Sequence, residues 1–438
     1  MATLTAQKNT EEPGRIRPAE YAARRDAVRT AVAPWPAVFR GVAADETLDG
    51  ALPGMLQNSV MEYLTGVDTP DTWLLILPAG ADTRKLSRQL PAAVREVIFL
   101  PGASAAAEQW TGPQLSPGKS ASAATGIEHS LDSSSIWAVL QALAAQYETL
   151  ATVTPFGPHA NLTREFAMMR RTTEIAPVVR WRDATTTLTE LRKLKSSAEV
   201  ALIERAVAIT GEAHRAVVQE LAAKSVSNEA ELDGLIYSTY RRHNAWPAFP
   251  SIVGSGRNGT VLHYHRNDAP LQDGDLLVLD IGARFHGYCG DVTRTWPISG
   301  RFTPRQRELY SLVAEAHRRV VGSAVAGIDS PLDLEDRCKE FYRESGLRAE
   351  NASGEKQTLD RFLPHGICHH LGVQVHDPGA RTDALYPGAV VTIEPGLYLP
   401  RERIGIRLED DYLVTQSGLQ RLGPPLPIAP DEVERMFA

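Results

Sequence analysis

The stretch from Asp275 to Thr295 sets two carboxylates, Asp280 and Asp291, into strand-forming sequence. Leu276 to Leu279 is an apolar, partly β-branched run that suits a buried strand. Val292 to Trp296 is rich in strand formers too, and Phe285-His-Gly287 between them reads as a turn. A hairpin centred between Phe285 and His286 would make Asp280 and Asp291 cross-strand partners, with Cβ atoms about 5 Å apart. Two carboxylates so placed repel, an apolar strand gives them little water, and no Lys or Arg lies in register between them. A metal ion answers the problem, because hard cations want clustered carboxylate oxygens. The alternative is a solvated hairpin with two surface aspartates.

The far end of the chain favours the metal. Val390-Val-Thr-Ile-Glu-Pro-Gly396 and Ile404-Gly-Ile-Arg-Leu-Glu-Asp-Asp411 read as a second apolar hairpin with Glu394 and Glu409 facing inward. Between the hairpins lies a His-rich stretch, Leu363 to Gly379. Two Asp, two Glu and a His in one cluster describe a two-metal site.

With 438 residues, 43% hydrophobic and 23% charged, the chain can form two domains with real cores. A net charge of −7 argues against a surface built for nucleic acid. No stretch reaches the roughly 18 apolar residues that a membrane span needs. Met1 to Arg17 has no apolar core and reads as a short disordered tail, not a signal peptide. Cys289, Cys338 and Cys368 are sparse and odd in number. They read as unpaired structural thiols of a reducing, cytoplasmic compartment.

Residues 18–182 alternate strand and helix patterns and predict an α/β domain. Strands are expected at Trp73–Pro78, Val97–Pro101 and Leu150–Thr154, helices at Tyr21–Val32 and Leu131–Leu150, and a surface loop at Ser116–Thr125. Arg24, Arg25 and Arg29 are expected on the outer face of the first helix. A linker, 183–195, leads to the second domain, 196–438. There Ser196-Ser-Ala-Glu199 is a capping box opening a helix to about Ala223, in which His214 is read as structural. A second helix runs from about Asn228 to His243. Thr303-Pro304 and Ser330-Pro331 open two more, each with a hydroxyl cap and Pro at the first helical position. Helix–helix–hairpin thus occurs twice, once with two Asp and once with two Glu. Two pseudo-symmetric halves facing one another would set four carboxylates around one pocket.

At these residues the chain resembles the pita-bread metallopeptidases, in their proline-specific branch, most closely the Xaa-Pro aminopeptidases (aminopeptidase P). The motifs are Ser251-Ile-Val-Gly-Ser-Gly256, Leu262-His-Tyr264, Asp291-Val-Thr-Arg-Thr295, His365-Gly366, Val375-His-Asp377, Glu394-Pro-Gly396 and Gly405-Ile-Arg-Leu-Glu-Asp410. They cover the chain from about Arg192 to Val414. Weaker ones in the first domain are Gln57-Asn-Ser59, Tyr63-Leu-Thr-Gly66 and Glu108-Gln-Trp-Thr-Gly112.

The resemblance implies an α/β N-terminal domain and an α+β pita-bread catalytic domain. It implies a dinuclear aminopeptidase that cleaves the N-terminal bond of peptides with proline second, through a hydroxide bridging two ions. Asp280 would bind one ion, His369 and Glu394 the other, and Asp291 and Glu409 would bridge them. Manganese is the family's usual metal, with cobalt or zinc as alternatives. Glu394 would also shuttle a proton to the leaving amine. His263 and His376 would contact substrate around the scissile bond, His365 would help position it, and Arg407 would orient carboxylates. His370 is read as a bystander, and His265, His286 and His317 as surface residues.

A homodimer or homotetramer is implied, with Trp110 a candidate to border a neighbouring active site; otherwise it is a buried or interface aromatic. Prolidase, the Xaa-Pro dipeptidase, is the nearest alternative, and Arg401 or Arg403 could supply its carboxylate clamp. A non-catalytic protein-binding module is a further alternative, disfavoured by the intact ligand set.

Overall fold

A six-stranded mixed sheet organises residues 16–191 in the computed structural model, which describes residues 15–43, 57–154 and 163–438. The spatial order is His129–Asp132, Glu96–Leu100, Trp73–Ile76, Ala37–Arg40, Thr149–Thr152 and Arg180–Asp183. The two middle pairings, of Trp73–Ile76 with Glu96–Leu100 and with Ala37–Arg40, are antiparallel, and the outer ones are parallel. The strands expected from the apolar runs ending in Pro are therefore present. Residues 192–438 form the second unit. The expected linker, 183–195, carries the helix Thr185–Lys193, and most of the expected tail lies outside the described residues.

Three readings of the first unit change. The segment expected as one helix, 131–150, ends a strand, makes a short 3-10 turn and then a helix at Ile136–Ala144 only. The expected loop 116–125 contains the helix Lys119–Thr125, closed by Gly126 at φ 72. Its alanines were the signal for that helix. Most telling are Arg24 and Arg25, which are buried and not on an outer face. Each donates to a carbonyl at the C-terminal end of the helix Ser59–Thr65, Arg24 to Tyr63 and Arg25 to Leu64, both at 2.9 Å. That end gathers partial negative charge, and Arg25 completes its fork on Glu96. Arg29 also reaches Glu96 and is largely covered.

In the second unit the repeat stands in the element order. The helices Ser197–Ala223 and Glu229–Arg242 precede the first hairpin, and Pro304–Ser323 and Pro331–Glu344 precede the second. Ser196 and Glu199, Thr303 and Gln306, and Ser330 and Asp333 each form a reciprocal capping box. Such a cap contributes about 1 kcal/mol. One continuous core runs between the helices and strands, with Trp296, Tyr240 and Tyr310 wholly enclosed.

The register of the first hairpin differs from expectation. Leu276–Ile281 pairs with Val292–Pro297 so that Asp280 faces Thr293, not Asp291. The turn is His286-Gly287, with φ of 47 and 86, the left-handed pair of a type I′ turn. Asp291 therefore lies diagonal to Asp280, two residues before its partner and on the same face. Between the aspartates the ladder is interrupted at Gly282 and Gly290. A Cβ on Gly290 would meet the backbone of Val207 in helix Ser197–Ala223 at 2.8 Å, and one on Gly282 would collide with the Gly290 carbonyl. The second hairpin runs Val390–Ile393 and Gly396–Leu399 against Asp410–Thr415 and Ile404–Arg407, a register that sets Glu394 opposite Glu409.

Candidate metal and catalytic site

The two hairpins meet at a β-bridge between Thr293 and Glu409. Their carboxylates line one cavity of about 700 Å³, with Phe249, Ile252 and Leu262 as an apolar wall. One ligand atom each of Asp291, His369 and Glu409 lies within 4.8 Å of the others. His369 Nε2 is 3.6 Å from Asp291 Oδ2, 3.6 Å from Glu394 Oε1 and 3.9 Å from Glu409 Oε1. His369 is set by the adjoining strand: its N–H donates to Thr392 Oγ1, and its carbonyl accepts from Thr392 N. The ring is aimed by Nδ1, 3.0 Å from the His370 carbonyl. A carbonyl there demands a proton on Nδ1 and leaves Nε2 as a lone pair toward the carboxylates. Burial, reinforced by His376, lowers its pKa to about 3, so the imidazole is neutral.

The carboxylates carry the opposite strain. Burial and mutual repulsion hold Asp291 and Glu394 far above the usual carboxylate range, and burial together with Asp280 pushes Glu409 to about 8. Asp411 is likewise pushed up by burial; its Oδ2 accepts from the Asp291 amide at 2.9 Å. One cation does reach the group, contrary to the reading of the first hairpin alone: Arg407, from the other hairpin, donates to Asp280 Oδ2, Thr293 Oγ1 and Tyr398 Oη. The Arg407 guanidinium leaves Asp280, Asp291, Glu394 and Glu409 under-compensated. Asp280 Oδ1 and Asp291 Oδ1 are buried without a hydrogen-bond partner among the described residues. Orphaned buried oxygens beside a lone pair on nitrogen are the donor set of divalent cations. The residues therefore fit the expected metals: Asp280, Asp291, His369, Glu394 and Glu409 can hold them.

His365 is engaged within the protein on both ring nitrogens, 2.8 Å from the Gly366 carbonyl through Nδ1 and 2.8 Å from Tyr398 Oη through Nε2. Arg407 donates to the same Tyr398 hydroxyl at 2.6 Å, so guanidinium, phenol and imidazole form a chain beside Glu394. His263 and His376 are exposed on the cavity wall, His376 edge-on to His369 at 4.4 Å.

Other histidines divide. His265 also lines the cavity, His286 is in the turn, and His370 is a buried residue of the cavity lining. His317, expected at the surface, is buried, with Nε2 3.7 Å from Asp410 Oδ2. Its helix, Pro304–Ser323, turns that face into the core. His214 is structural: its Nε2 donates to the Val292 carbonyl at 3.1 Å and its Nδ1 accepts from Trp296 at 3.4 Å. None of the three cysteines is in a disulfide, and all three are buried.

Sequence reasoning missed Tyr398 and Arg381. Tyr398 follows Glu394 and Gly396 at strand period on the inward face, which was the available signal. Arg381 lines the cavity and ion-pairs with Glu335 from an irregular segment, where no periodicity points anywhere. Arg401 and Arg403 pair with Glu350 and Asp275 and do not line the cavity.

The description "Metallopeptidase family M24" matches residues 201–416, and "Aminopeptidase P, N-terminal domain" matches 54–152. The Xaa-Pro aminopeptidase of Escherichia coli strain K12 is 31% identical over 453 aligned residues, covering 95% of this chain and 97% of that protein. The chain belongs to metallopeptidase family M24, among its Xaa-Pro aminopeptidases. As a member it is a hydrolase with an aminopeptidase P N-terminal domain and a pita-bread catalytic domain. An aminopeptidase P structure from Bacillus anthracis superposes with a TM-score of 0.83 at 27% identity, covering 96% of this chain and 98% of that one. A zinc-substituted E. coli aminopeptidase P in complex with product gives a TM-score of 0.81 at 28% identity, with the same two coverages.

Proposed function

We propose that this aminopeptidase P family member hydrolyses the N-terminal Xaa-Pro bond of peptides using two divalent ions held by Asp280, Asp291, His369, Glu394 and Glu409. The observation that carries it is the convergence of Asp291, His369 and Glu409 within 4.8 Å, beside two orphaned aspartate oxygens. Bound ions supply Lewis acidity, which makes a water nucleophilic near neutral pH.

The chain's own groups do the rest. Glu394, whose carboxyl is held far above its ordinary range without metal, carries a proton between the attacking water and the leaving proline nitrogen. His263 and His376 face the cavity unblocked and donate to the carbonyl oxygen as it gains charge. Arg407 holds Asp280 in place; Tyr398 and His365 brace it from the other side. Phe249, Ile252 and Leu262 offer an apolar seat for the proline ring.

An oxygen-rich set with one imidazole suits manganese, with cobalt and zinc as substitutes. Three buried cysteines without a disulfide fit a reducing, cytoplasmic setting. Trp110, 89% exposed, is a large apolar surface that a homodimer or homotetramer would cover. No helix among the described residues is long and apolar enough to cross a membrane. For domain organisation we keep an N-terminal domain over 18–182 and a catalytic domain over 196–438.

The test is cleavage of Ala-Pro-Ala after exhaustive chelation and again with manganese restored. Activity should vanish and return, and full turnover by metal-free protein would sink the reading. Arg381 favours a second reading, prolidase, because a guanidinium on the cavity wall can take the carboxylate of a dipeptide.

A further inference from the structure

His376 rides on an irregular loop, and what holds that loop lies on its far side. The next residue, Asp377, turns inward, with its side chain 1% exposed. Its Oδ1 accepts from Arg192 Nη2 and from the Gln374 amide, at 2.5 and 3.1 Å, and its Oδ2 accepts from Lys195 Nζ at 3.3 Å. Arg192 Nη2 also donates to Gln374 Oε1 at 2.9 Å, so one guanidinium grips both ends of the segment Gln374-Val-His-Asp377. The Asp377 amide closes the loop onto the His370 carbonyl at 2.9 Å. His370 in turn bridges Val391, in the strand that leads to Glu394. Both cations come from the segment entering the helix Ser197–Ala223, whose Lys195 amide donates to Gly388.

A cluster of one carboxylate and two cations, all nearly dry, is a costly way to obtain stability, since apolar side chains of similar volume do as well or better. What the cluster offers is direction. A carboxylate fixed from two sides sets the backbone of its own residue, and here the neighbouring residue, His376, lines the cavity.

We propose that Asp377, gripped by Arg192 and Lys195, is a positioning residue that sets the His376 imidazole for the chemical step. The inference rests on the peptidase reading above, and it concerns residues outside the ligand set. The Asp377 carboxylate is taken up by Arg192, Lys195 and the Gln374 amide, and it acts through the peptide bond to His376.

A double-mutant cycle tests it, with Ala-Pro-Ala as substrate and manganese as the metal, on the full-length protein. Asp377→Asn should lower kcat by about tenfold or more, leave KM within about twofold, and retain the metal content of the parent. In a His376→Ala background the same change should cost less than about twofold, because the group it positions is gone. Losses that simply add, or loss of metal in Asp377→Asn, would overturn the proposal. If Asp377→Asn does not accumulate as folded protein, Arg192→Gln in the same cycle decides by the same criterion. A second readout is amide exchange across residues 372–377 in metal-free protein, which should quicken in Asp377→Asn; unchanged exchange would also overturn it. An inactive parent enzyme would instead refute the functional reading, and the exchange readout would still judge this one.

Discussion

Thr293 and Glu409 bind the two hairpins together twice: the Glu409 amide donates to the Thr293 carbonyl at 3.0 Å, and the Thr293 hydroxyl donates to Glu409 Oε2 at 2.6 Å. The hydroxyl thus fixes which oxygen of Glu409 is left for a cation, and it also accepts from Arg407 Nε at 3.3 Å. Thr293→Val keeps the shape and the main-chain bond and removes the two bonds of the hydroxyl, to Glu409 and from Arg407. Groups that orient a ligand typically tune affinity by 10- to 100-fold. Manganese titration of the variant by calorimetry should show weakening of about that size, and unaltered affinity would remove Thr293 from the site.

Asp291→Ala should release metal and reduce turnover of Ala-Pro-Ala by about 100-fold or more, since it takes away a member of the tight triad. Metal analysis and single-turnover kinetics together check this. Parent-like activity in the variant would mean that the ion sites are elsewhere.

His376→Ala should lower kcat by about 100-fold, the scale for losing one donor to a developing oxyanion, while metal content stays constant. A variant that loses metal would make His376 a ligand instead.

His214 predicts a pH dependence. Burial, followed by the nearby Arg294, lowers its pKa to about 3 from an ordinary 6.5. A folded-state pKa below the unfolded one means that the unfolded chain binds the extra proton. The stability it lends is complete above pH 6.5 and drains away as pH falls toward 3. The slope is about 1.4 kcal/mol per pH unit for one group. Urea unfolding of metal-free His214→Gln should therefore show a flatter acid limb than the metal-free parent between pH 6 and 4. Parallel limbs would contradict a neutral, buried imidazole.

Substrate length separates the two peptidase readings. We expect a higher kcat/KM for Ala-Pro-Ala than for Ala-Pro, because Arg401 and Arg403 are held by Glu350 and Asp275 away from the cavity. Tenfold preference for the dipeptide, about 1.4 kcal/mol in the transition state, would favour prolidase. Arg381→Ala would then be the variant to examine, as it should abolish that preference.

Much of the catalytic unit was legible because period and capping agree there. Ser196, Thr303 and Ser330 announced their helices, and Glu394 and Glu409 fell into register as apolar alternation required. The aspartate hairpin was misjudged by two residues because its turn is centred between His286 and Gly287, one residue later than expected, and each residue of shift moves a cross-strand partner by two. Arg24 and Arg25 were misplaced for a different reason. Charge argues for solvent unless a neighbouring helix end needs donors, and that neighbour is 39 residues away in sequence. Arg381 illustrates a third case, in which a loop residue acquires its role from the fold alone.

The close seat of Gly290 on the helix backbone at Val207 bears on how a genetic screen of this enzyme would read. Random alleles that add one methyl group at Gly282 or Gly290 would displace the strand carrying Asp291 and silence the enzyme. They would leave every charged and polar group intact. Scored by phenotype, such alleles would be indistinguishable from losses of the reacting groups, and two residues without a functional atom would enter the roll of essential ones.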